Sequence, residues 1–476
     1  MTKILNDKDF WKKTAELALP VAVQNMLTSS FTLVDTLLVS SLGDISLAAV
    51  GMAGQWGWLM NMIIFGICSA TGVFVSQYWG VKDKKNIHVT MGIALIISLA
   101  VSAVFFALSF FAPNSVIHLF NSNKAVIDEG SKYLVIIAFS YPAVAITNIL
   151  SVVLRSTEKV RLPMYISAIT TMLNIGLDYC LIFGNLGFKE MGIGGAALAT
   201  LISAWVGVFA LILLSLADKN IIIAPVKEVF SIRKRNVTAF AKKAIPVILN
   251  ESLWGGGTFL YTLIFANMGY EYYAAITILK SFENIEYVFF IGLCNASAVM
   301  IGKSVGKGEI ERGITDAKRF MIIVPSASVI IGIIAIIFRV PLVNIFDMGN
   351  NISQLTITTA IQLIVIYSVE LPLRTFGYTM IVGVLRAGGD TLSAAKYDLA
   401  SLWLFSLPAT VIAAYVLKLP FIWCYIVMFI FEDYIKLFLT LRRYKSKKWI
   451  IPVTEEGKAG LEKYLSANTE KVKSYD

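Results

Sequence analysis

The stretch FGICSATGV at residues 65–73 returns as IGLCNASAV at residues 291–299, a shift of 226 positions along the chain. Under the same shift, residues 42–80 align without a gap on residues 268–306. Eight positions of that alignment are identical, and they are Gly43, Ala48, Ala49, Gly66, Cys68, Ala70, Val73 and Gly80 with their partners. The sequence therefore predicts a fold made of two repeats with the same order of elements.

The composition places the chain in a membrane. The 476 residues are 57% hydrophobic and only 15% charged, with a mean hydropathy of +0.73. Soluble domains average about 25% charged residues, so most of this chain is not suited to water. The four cysteines all lie in apolar runs, which indicates reduced packing residues rather than a disulfide framework.

Twelve apolar segments are each long enough to cross a bilayer, which takes about 20 residues. They are 15–40, 47–79, 89–112, 132–154, 162–183, 193–217, 241–267, 273–302, 320–338, 357–385, 393–416 and 419–441. Such long runs without a period of two do not fit the strands of a barrel. We therefore predict an all-α integral membrane protein, with twelve transmembrane helices in two six-helix lobes related by the internal repeat.

The distribution of Lys and Arg predicts the orientation, because basic residues stay preferentially on the cytoplasmic side. With the N-terminus inside, 33 of the 41 basic residues are cytoplasmic and 5 lie in outer loops. Both termini of this multi-pass membrane protein are therefore expected in the cytoplasm. A nucleic-acid surface explains the net charge of +10 poorly, since the basic residues are scattered over seven separate stretches.

These boundaries give an expected domain organisation, with two lobes in the same orientation because each contains an even number of spans. The segments are a cytoplasmic N-terminus (1–13), an N-terminal lobe (14–217), a cytoplasmic linker (218–240), a C-terminal lobe (241–441) and a cytoplasmic tail (442–476). Paired lobes of this kind suit a transporter with a central cleft that opens alternately to either side.

Several motifs resemble those of the multidrug and toxin extrusion (MATE) family, bacterial type. LRSTEKVRLPMYISAITTMLNIGLDYCLIFG (154–184) and MGIGGAALAT (191–200) resemble its first half, and IPVILNESLWGGGT (245–258) and VLRAGGDT (384–391) its second. The resemblance implies a secondary-active exporter that exchanges inward H⁺ or Na⁺ for organic, often cationic, amphiphilic drugs or metabolites. It implies no cofactor besides the coupling ion. We expect a monomer in the lipid bilayer, with no nucleic-acid partner.

Asp35 is an acid in the first span, where a carboxylate costs about 2.5–3.5 kcal/mol by insertion scales. Asn174 and Asp178 lie four apart on the fifth span, hence on one helix face, and Thr200 lies in the sixth. In the MATE family, matching residue types at these places form the cation site of the N-terminal lobe. Oxygen ligands suit Na⁺, and two close carboxylates also suit a proton, so both ions stay open. The alternative for Asp35 is an outer-end residue hydrated by the adjacent loop.

Glu251 lies near the middle of the seventh span, and the repeat pairs it with Asn25. The resemblance implies that it serves cation coupling or drug binding, whereas the structural alternative is an acid neutralised by a neighbour such as Lys280. Some family members add an acid on the tenth helix, but here that place is Thr375. This departure puts a complete second cation site in doubt.

Further charged residues lie within the eighth and tenth spans and are candidates for lining the substrate cleft. Their spacing also allows local neutralised pairs, Lys280 with Glu283 and Glu370 with Arg374. Pro20 marks an expected bending point of the first helix. The candidate cleft residues are Lys280, Glu283, Glu286, Glu370 and Arg374.

No catalytic class is indicated by the sequence. It contains no phosphate-cradling glycine loop, no cluster of metal ligands beyond the Na⁺ candidates and no nucleophile triad, and only two histidines. The alternatives to an exporter are a lipid-linked saccharide flippase of the same broad superfamily, or a membrane-embedded enzyme or channel. A flippase would be expected to have more spans and a strongly cationic cleft. An enzyme or channel would need a cluster of reactive side chains or a pore lining.

Overall fold

A computed structural model describes residues 7–120, 122–347 and 353–473, and within these residues the regular structure is helical, with one isolated bridge between Gly389 and Ile450. The N-terminal segment 1–13 and the tail 442–476 extend in part beyond the described residues. The first repeat contains α1 (Lys8–Ser40), α2 (Asp44–Gly80), α3 (Lys84–Phe111), α4 (Lys124–Ala138 and Tyr141–Ser156), α5 (Arg161–Phe183) and α6 (Ile193–Ala217).

The second repeat follows the first closely. It contains α7 (Lys234–Met268), α8 (Tyr270–Gly306), α9 (Ile310–Asn344), α10 (Gln354–Arg386), α11 (Thr391–Val416) and α12 (Phe421–Phe429, continued by Ile430–Tyr434 and Ile435–Lys445). The shift of 226 that aligns the sequences also carries the first residues of α1, α2 and α3 onto those of α7, α8 and α9. The predicted class, twelve helices in two repeats of six, is confirmed.

The helices suit a bilayer in length and in surface. Among the described residues, nine helices are long and apolar enough to cross a membrane singly, and the two parts of α4, bent by 49°, make a tenth. The other two predicted spans correspond to α7 and α12. Of these, α12 carries Glu432, Asp433 and Lys436 within one turn and a half. Large apolar side chains such as Met172 (73% exposed) and Leu213 (65%) face outward, as lipid contact requires.

The last three spans contain an irregularity that the sequence did not predict. Stretches of π-helix interrupt α10 at Thr379–Arg386, α11 at Ala400–Ser406 and Ile412–Val416, and α12 at Ile430–Tyr434. Wide turns of this kind are rare and occur mostly at functional sites. They lie beside the buried charged groups described below.

The chain forms two compact units whose limits differ from the expected lobes. The N-terminal unit contains 19–75 and 82–248, and the C-terminal unit contains the described residues of 1–18, 76–81 and 249–476. The first part of α1 and the last residues of α2 therefore belong with the C-terminal unit. The expected boundaries at 14, 217 and 241 remain a proposal about the membrane-embedded parts.

The segment after α12 is folded onto the C-terminal unit, which hydropathy alone did not indicate. Trp449 is fully buried, stacks on Tyr444 with ring centroids 5.7 Å apart, and belongs to an apolar cluster with residues of α8, α9 and α10. The backbone N–H of Ile451 donates to the carbonyl of Gly388 at 2.7 Å. A Cβ at Gly388 would overlap the Trp449 ring, so only glycine allows this approach. A further helix, α13 (Glu455–Lys473), follows.

We expect Trp449→Ala to lower the free energy of unfolding by about 3–5 kcal/mol, because it leaves a cavity in a close-packed cluster. Thermal unfolding of the purified protein in detergent measures the change. Trp423→Ala is the matched control, since Trp423 on α12 is 57% exposed and its removal opens no cavity. Equal midpoints for the two variants would show that the tail contributes nothing to the stability of the unit.

Candidate functional site

Three of the predicted residues form one hydrogen-bonded group in the N-terminal unit. Asn174 and Asp178 are 2% and 0% exposed on α5, and Thr200 lies on α6, which packs against α5. With its amide turned to satisfy both neighbours, Asn174 donates to Asp178 Oδ2 at 2.6 Å. The amide oxygen of Asn174 then accepts from the Thr200 hydroxyl at 3.3 Å and from its backbone N–H at 3.1 Å.

The close approach of α5 and α6 depends on a glycine. A Cβ at Gly195 would lie 2.5 Å from the backbone oxygen of Leu181, which is closer than any real contact of that kind. Gly184, with φ +71°, ends α5 in the left-handed conformation that favours glycine. Gly184 thus ends α5, and Gly195 allows α6 to pack closely against it, so that Thr200 lies beside Asn174.

Asp35 completes the group from α1. Its carboxylate is close enough to Asp178 for the two to interact electrostatically, and both interact with Tyr133 on α4. Asp35 Oδ1 and Asp178 Oδ1 are each buried without a hydrogen-bond partner. Two carboxylates in a medium of low dielectric repel each other unless a proton or a metal cation is shared between them. These residues are the candidates for holding a cation or a proton.

The helix that carries Asp35 continues through Pro20. Proline lacks the N–H that would bond to the carbonyl of Glu16, so one backbone hydrogen bond of the helix is missing between residues 16 and 20. Further along, the hydroxyls of Thr28, Thr32 and Thr36 each donate to the carbonyl four residues earlier, at 3.0, 3.1 and 2.7 Å. Such back-bonding favours bending of a helix. The predicted hinge thus lies in a helix that is continuous in this structure and weakened along its length.

Glu251 has a partner that the sequence analysis did not name. Its Oε1 lies 2.8 Å from Arg386 Nη2, and the Arg386 side chain is 2% exposed. The neutralising neighbour is therefore Arg386 on α10 and not Lys280.

The repeat could have revealed this pairing, because Arg155 in LRS and Arg386 in LRA are equivalent. In the N-terminal unit, Arg155 Nη1 donates to Gln24 Oε1 at 3.3 Å. Gln24 is the repeat equivalent of Asn250, the residue next to Glu251. In each repeat, a side chain of the first helix thus contacts this arginine. The contact is made by the amide of Gln24 in the N-terminal unit and by the acid of Glu251 in the C-terminal unit.

The candidate cleft residues of α8 and α10 do not form the pairs that their spacing allowed. Arg374 Nη1 lies 4.0 Å from Glu283 Oε1, and Arg374 also lies over the rings of Tyr367 and Phe429 at 5.6 and 5.3 Å. Glu370 does not pair with Arg374, and its Oε2 is buried without a hydrogen-bond partner.

The other two candidates differ in exposure. Lys280 is exposed and donates to Thr262 Oγ1 at 3.3 Å, while it also interacts electrostatically with Glu283. Glu286 is 2% exposed, and neither carboxyl oxygen has a partner with hydrogen-bond geometry. Thr375, at the place where some relatives carry an acid, bonds to Ser328 Oγ at 3.1 Å.

In the described ranges, no three or more His, Cys, Asp or Glu side chains are grouped to hold a metal ion. The four cysteines are free, and three of them are buried. The oxygen groups around Asp35 and Asp178 are the candidates for binding a proton or an alkali cation.

The sequence profile of the family described as MatE matches residues 20–180 and 246–412, one stretch in each repeat. The chain belongs to the MatE family. MatE proteins are membrane transporters, so this chain is a multi-pass transporter of the cell membrane and not an enzyme. The sequence-based resemblance is confirmed.

Relatives and solved structures agree with this family over nearly the whole chain. The probable multidrug resistance protein NorM of Thermotoga maritima is 26% identical over 92% of this chain and 93% of its own length. The uncharacterized transporter YisQ of Bacillus subtilis is 26% identical over 91% and 94%. A crystal structure of MATE in the bent conformation has a TM-score of 0.84 at 18% identity, covering 94% of this chain and 98% of its own.

Proposed function

We propose that this MatE transporter is a secondary-active multidrug exporter that takes in H⁺ or Na⁺ and expels organic, often cationic, amphiphilic compounds by alternating access. Asp35, Asn174, Asp178 and Thr200 bind the coupling ion. The observation that carries the proposal is the pair of carboxylates, Asp35 and Asp178, each with one buried oxygen that has no hydrogen-bond partner among the described residues. The names of the multidrug-resistance relatives support the substrate class.

The site can hold either ion by the same groups. A proton between the two carboxyls removes their repulsion and one desolvation cost. A Na⁺ ion would take the two unpartnered carboxylate oxygens together with the Asn174 and Thr200 oxygens, the hard ligands that such cations prefer. In both cases the ion stabilises the arrangement of α1 against α5, and its loss favours a different one.

The substrate region is proposed at the candidate residues of α8 and α10, where acids outnumber bases. The acids of this region are Glu283, Glu286 and Glu370, and its bases are Arg374 and the exposed Lys280. An excess of acids favours organic cations, and the Tyr367 and Phe429 rings are buried and already covered by Arg374. Glu251 is engaged with Arg386, so we propose that it acts there as a countercharge. We further propose a monomer. The 33-to-5 split of basic residues supports placing both termini in the cytoplasm.

The test is transport by purified protein in liposomes, with H⁺ and Na⁺ gradients imposed separately and a fluorescent organic cation as substrate. At least one gradient should drive uptake against the substrate gradient. Asp178→Asn should reduce that uptake tenfold or more, which corresponds to about 1.4 kcal/mol or more of lost coupling. The reason is that the amide cannot take up a proton and is a weaker ligand for Na⁺.

Asp128→Asn is the control for that experiment, because Asp128 is an exposed acid on α4 outside the cluster. It should transport as the wild type does. Uptake by Asp178→Asn equal to the control under both gradients would refute the ion site. Movement of a lipid-linked saccharide that is independent of either ion would instead support a flippase.

A further inference from the structure

A lysine lies buried between two acids in the C-terminal unit. Lys436 on α12 has its Nζ 2.8 Å from Asp398 Oδ1 and 3.3 Å from Glu432 Oε1, and its side chain is 10% exposed. Asn250 Nδ2 donates to Asp398 Oδ2 at 3.0 Å. The ammonium is thus held by one carboxylate from α11 and one from its own helix, with an amide from α7 fixing the first.

The surroundings are shaped to hold this ammonium. Gly377 on α10 faces the lysine stem, and a Cβ there would lie 3.1 Å from Lys436 Cδ. The π-helical stretch of α11 begins two residues after Asp398, and that of α12 contains Glu432 and ends two residues before Lys436. Wide turns displace the following side chains around the helix, and here they bring charged groups of two helices together.

The groups that face Lys436 carry more negative than positive charge. Asp398 and Glu432 contact the ammonium, and Asp433, 3% exposed, interacts with it electrostatically. Arg386 interacts with Asp398 from the other side, where it also holds Glu251. A buried cation among several acids is stable only while it stays charged, since its loss leaves like charges unscreened.

One oxygen of this group is not used by the protein. Asn250 is 1% exposed, and its Oδ1 has no hydrogen-bond partner although its amide nitrogen binds Asp398. This oxygen therefore does not contact the ammonium, which is held by the Asp398 and Glu432 carboxylates, ligands that a hard monovalent cation also prefers. In place of such an ion, the structure has the ammonium of Lys436.

We propose that Lys436 is a tethered cation, which takes in the C-terminal unit the position that Na⁺ would take between Asp398 and Glu432. The ammonium therefore keeps Na⁺ from this position, and its removal opens a Na⁺ site there. The inference rests on the contacts of Lys436 and does not depend on the proposed substrate.

The experiment is Na⁺ binding to full-length purified protein carrying Lys436→Met, in which an unbranched apolar chain replaces the ammonium. The variant is made in an Asp35→Asn background, in which the proposed N-terminal site is already disabled. A change in Na⁺ binding can then be assigned to the Lys436 position. Radioactive ²²Na⁺ binding should rise by one ion per chain relative to the Asp35→Asn parent. The thermal midpoint should rise in NaCl compared with choline chloride at equal ionic strength.

Adding Asp398→Asn to Lys436→Met is the matched control, and it should abolish the additional Na⁺ because one carboxylate ligand is gone. Recovery of folded Lys436→Met only in the presence of Na⁺ would support the proposal. Equal Na⁺ stoichiometry in the Lys436→Met variant and its parent would overturn it. Failure to recover the variant in either salt, while the Asp398→Asn combination folds, would also overturn it, since Na⁺ then does not replace the ammonium.

Discussion

Asp35→Asn is expected to abolish ion-driven export while leaving substrate binding measurable. The amide has nearly the shape of the acid but cannot take up a proton, and it removes the repulsion with Asp178 that an ion has to relieve. Because only a ligand with different affinity for two states can shift them, the variant loses its response to the ion. Moving one charge through the membrane field supplies about 2.3 kcal/mol per 100 mV, and that driving force is no longer transmitted.

Substrate binding to purified protein, measured over a range of pH and of Na⁺ concentration, tests this expectation together with transport in liposomes. The wild type should show affinity that depends on one of the two ions, whereas Asp35→Asn should show one affinity throughout. Asp9→Asn is the control on the same helix, since Asp9 is exposed in its first turn. Normal ion dependence in Asp35→Asn would place the switch outside this cluster.

Glu251→Leu is expected to lower the free energy of unfolding by about 3–5 kcal/mol, because it removes the carboxylate that lies 2.8 Å from the buried guanidinium of Arg386. The family resemblance implies a role for Glu251 in cation coupling or drug binding. The ion pair adds an expected contribution to folding. Glu251→Gln should cost less, about 1.5–3 kcal/mol, since its carbonyl oxygen still accepts from the guanidinium.

Unfolding in mixed micelles measures these changes, and the repeat provides a matched control. Gln24→Leu removes the neutral partner of Arg155 in the N-terminal unit and should cost about 1.5–3 kcal/mol. The double variant Glu251→Leu with Arg386→Met should recover most of the stability, because both members of the ion pair are then replaced by apolar side chains. If Glu251→Leu is as stable as the wild type but inactive, Glu251 acts in transport and not as a countercharge.

The membrane class and the repeat could be read from the chain because both depend on local properties. An apolar run of about 20 residues crosses a bilayer whatever its neighbours are. The repeat in residues 42–80 and 268–306 carries the same helix bounds in both halves, since local sequence determines where a helix starts and stops. The spacing of Asn174 and Asp178 likewise placed them on one face before any packing was known.

The π-helical stretches and the folded tail could not be predicted in this way. Neither residues 379–386 nor residues 430–434 carry a sequence pattern that distinguishes a π-helix from an α-helix. Trp449 follows a basic segment typical of a solvated tail, yet it fills a cavity formed by residues far away in the chain. Both depend on contacts between distant segments, which a pattern within one segment does not contain.

The sequence by itself determined the twelve helices, the two repeats and the family, and through the family resemblance it predicted a common site for Asp35, Asn174, Asp178 and Thr200. The tertiary structure alone decided which buried charges meet: Glu251 with Arg386, Arg374 with Glu283, and Lys436 with Asp398. Helical spacing of three or four allows a pair on one helix but does not require it. Packing sets the rotation of each helix about its axis and thereby selects the partner of each charged side chain. In a medium of low dielectric, that partner determines whether the charge is neutralised.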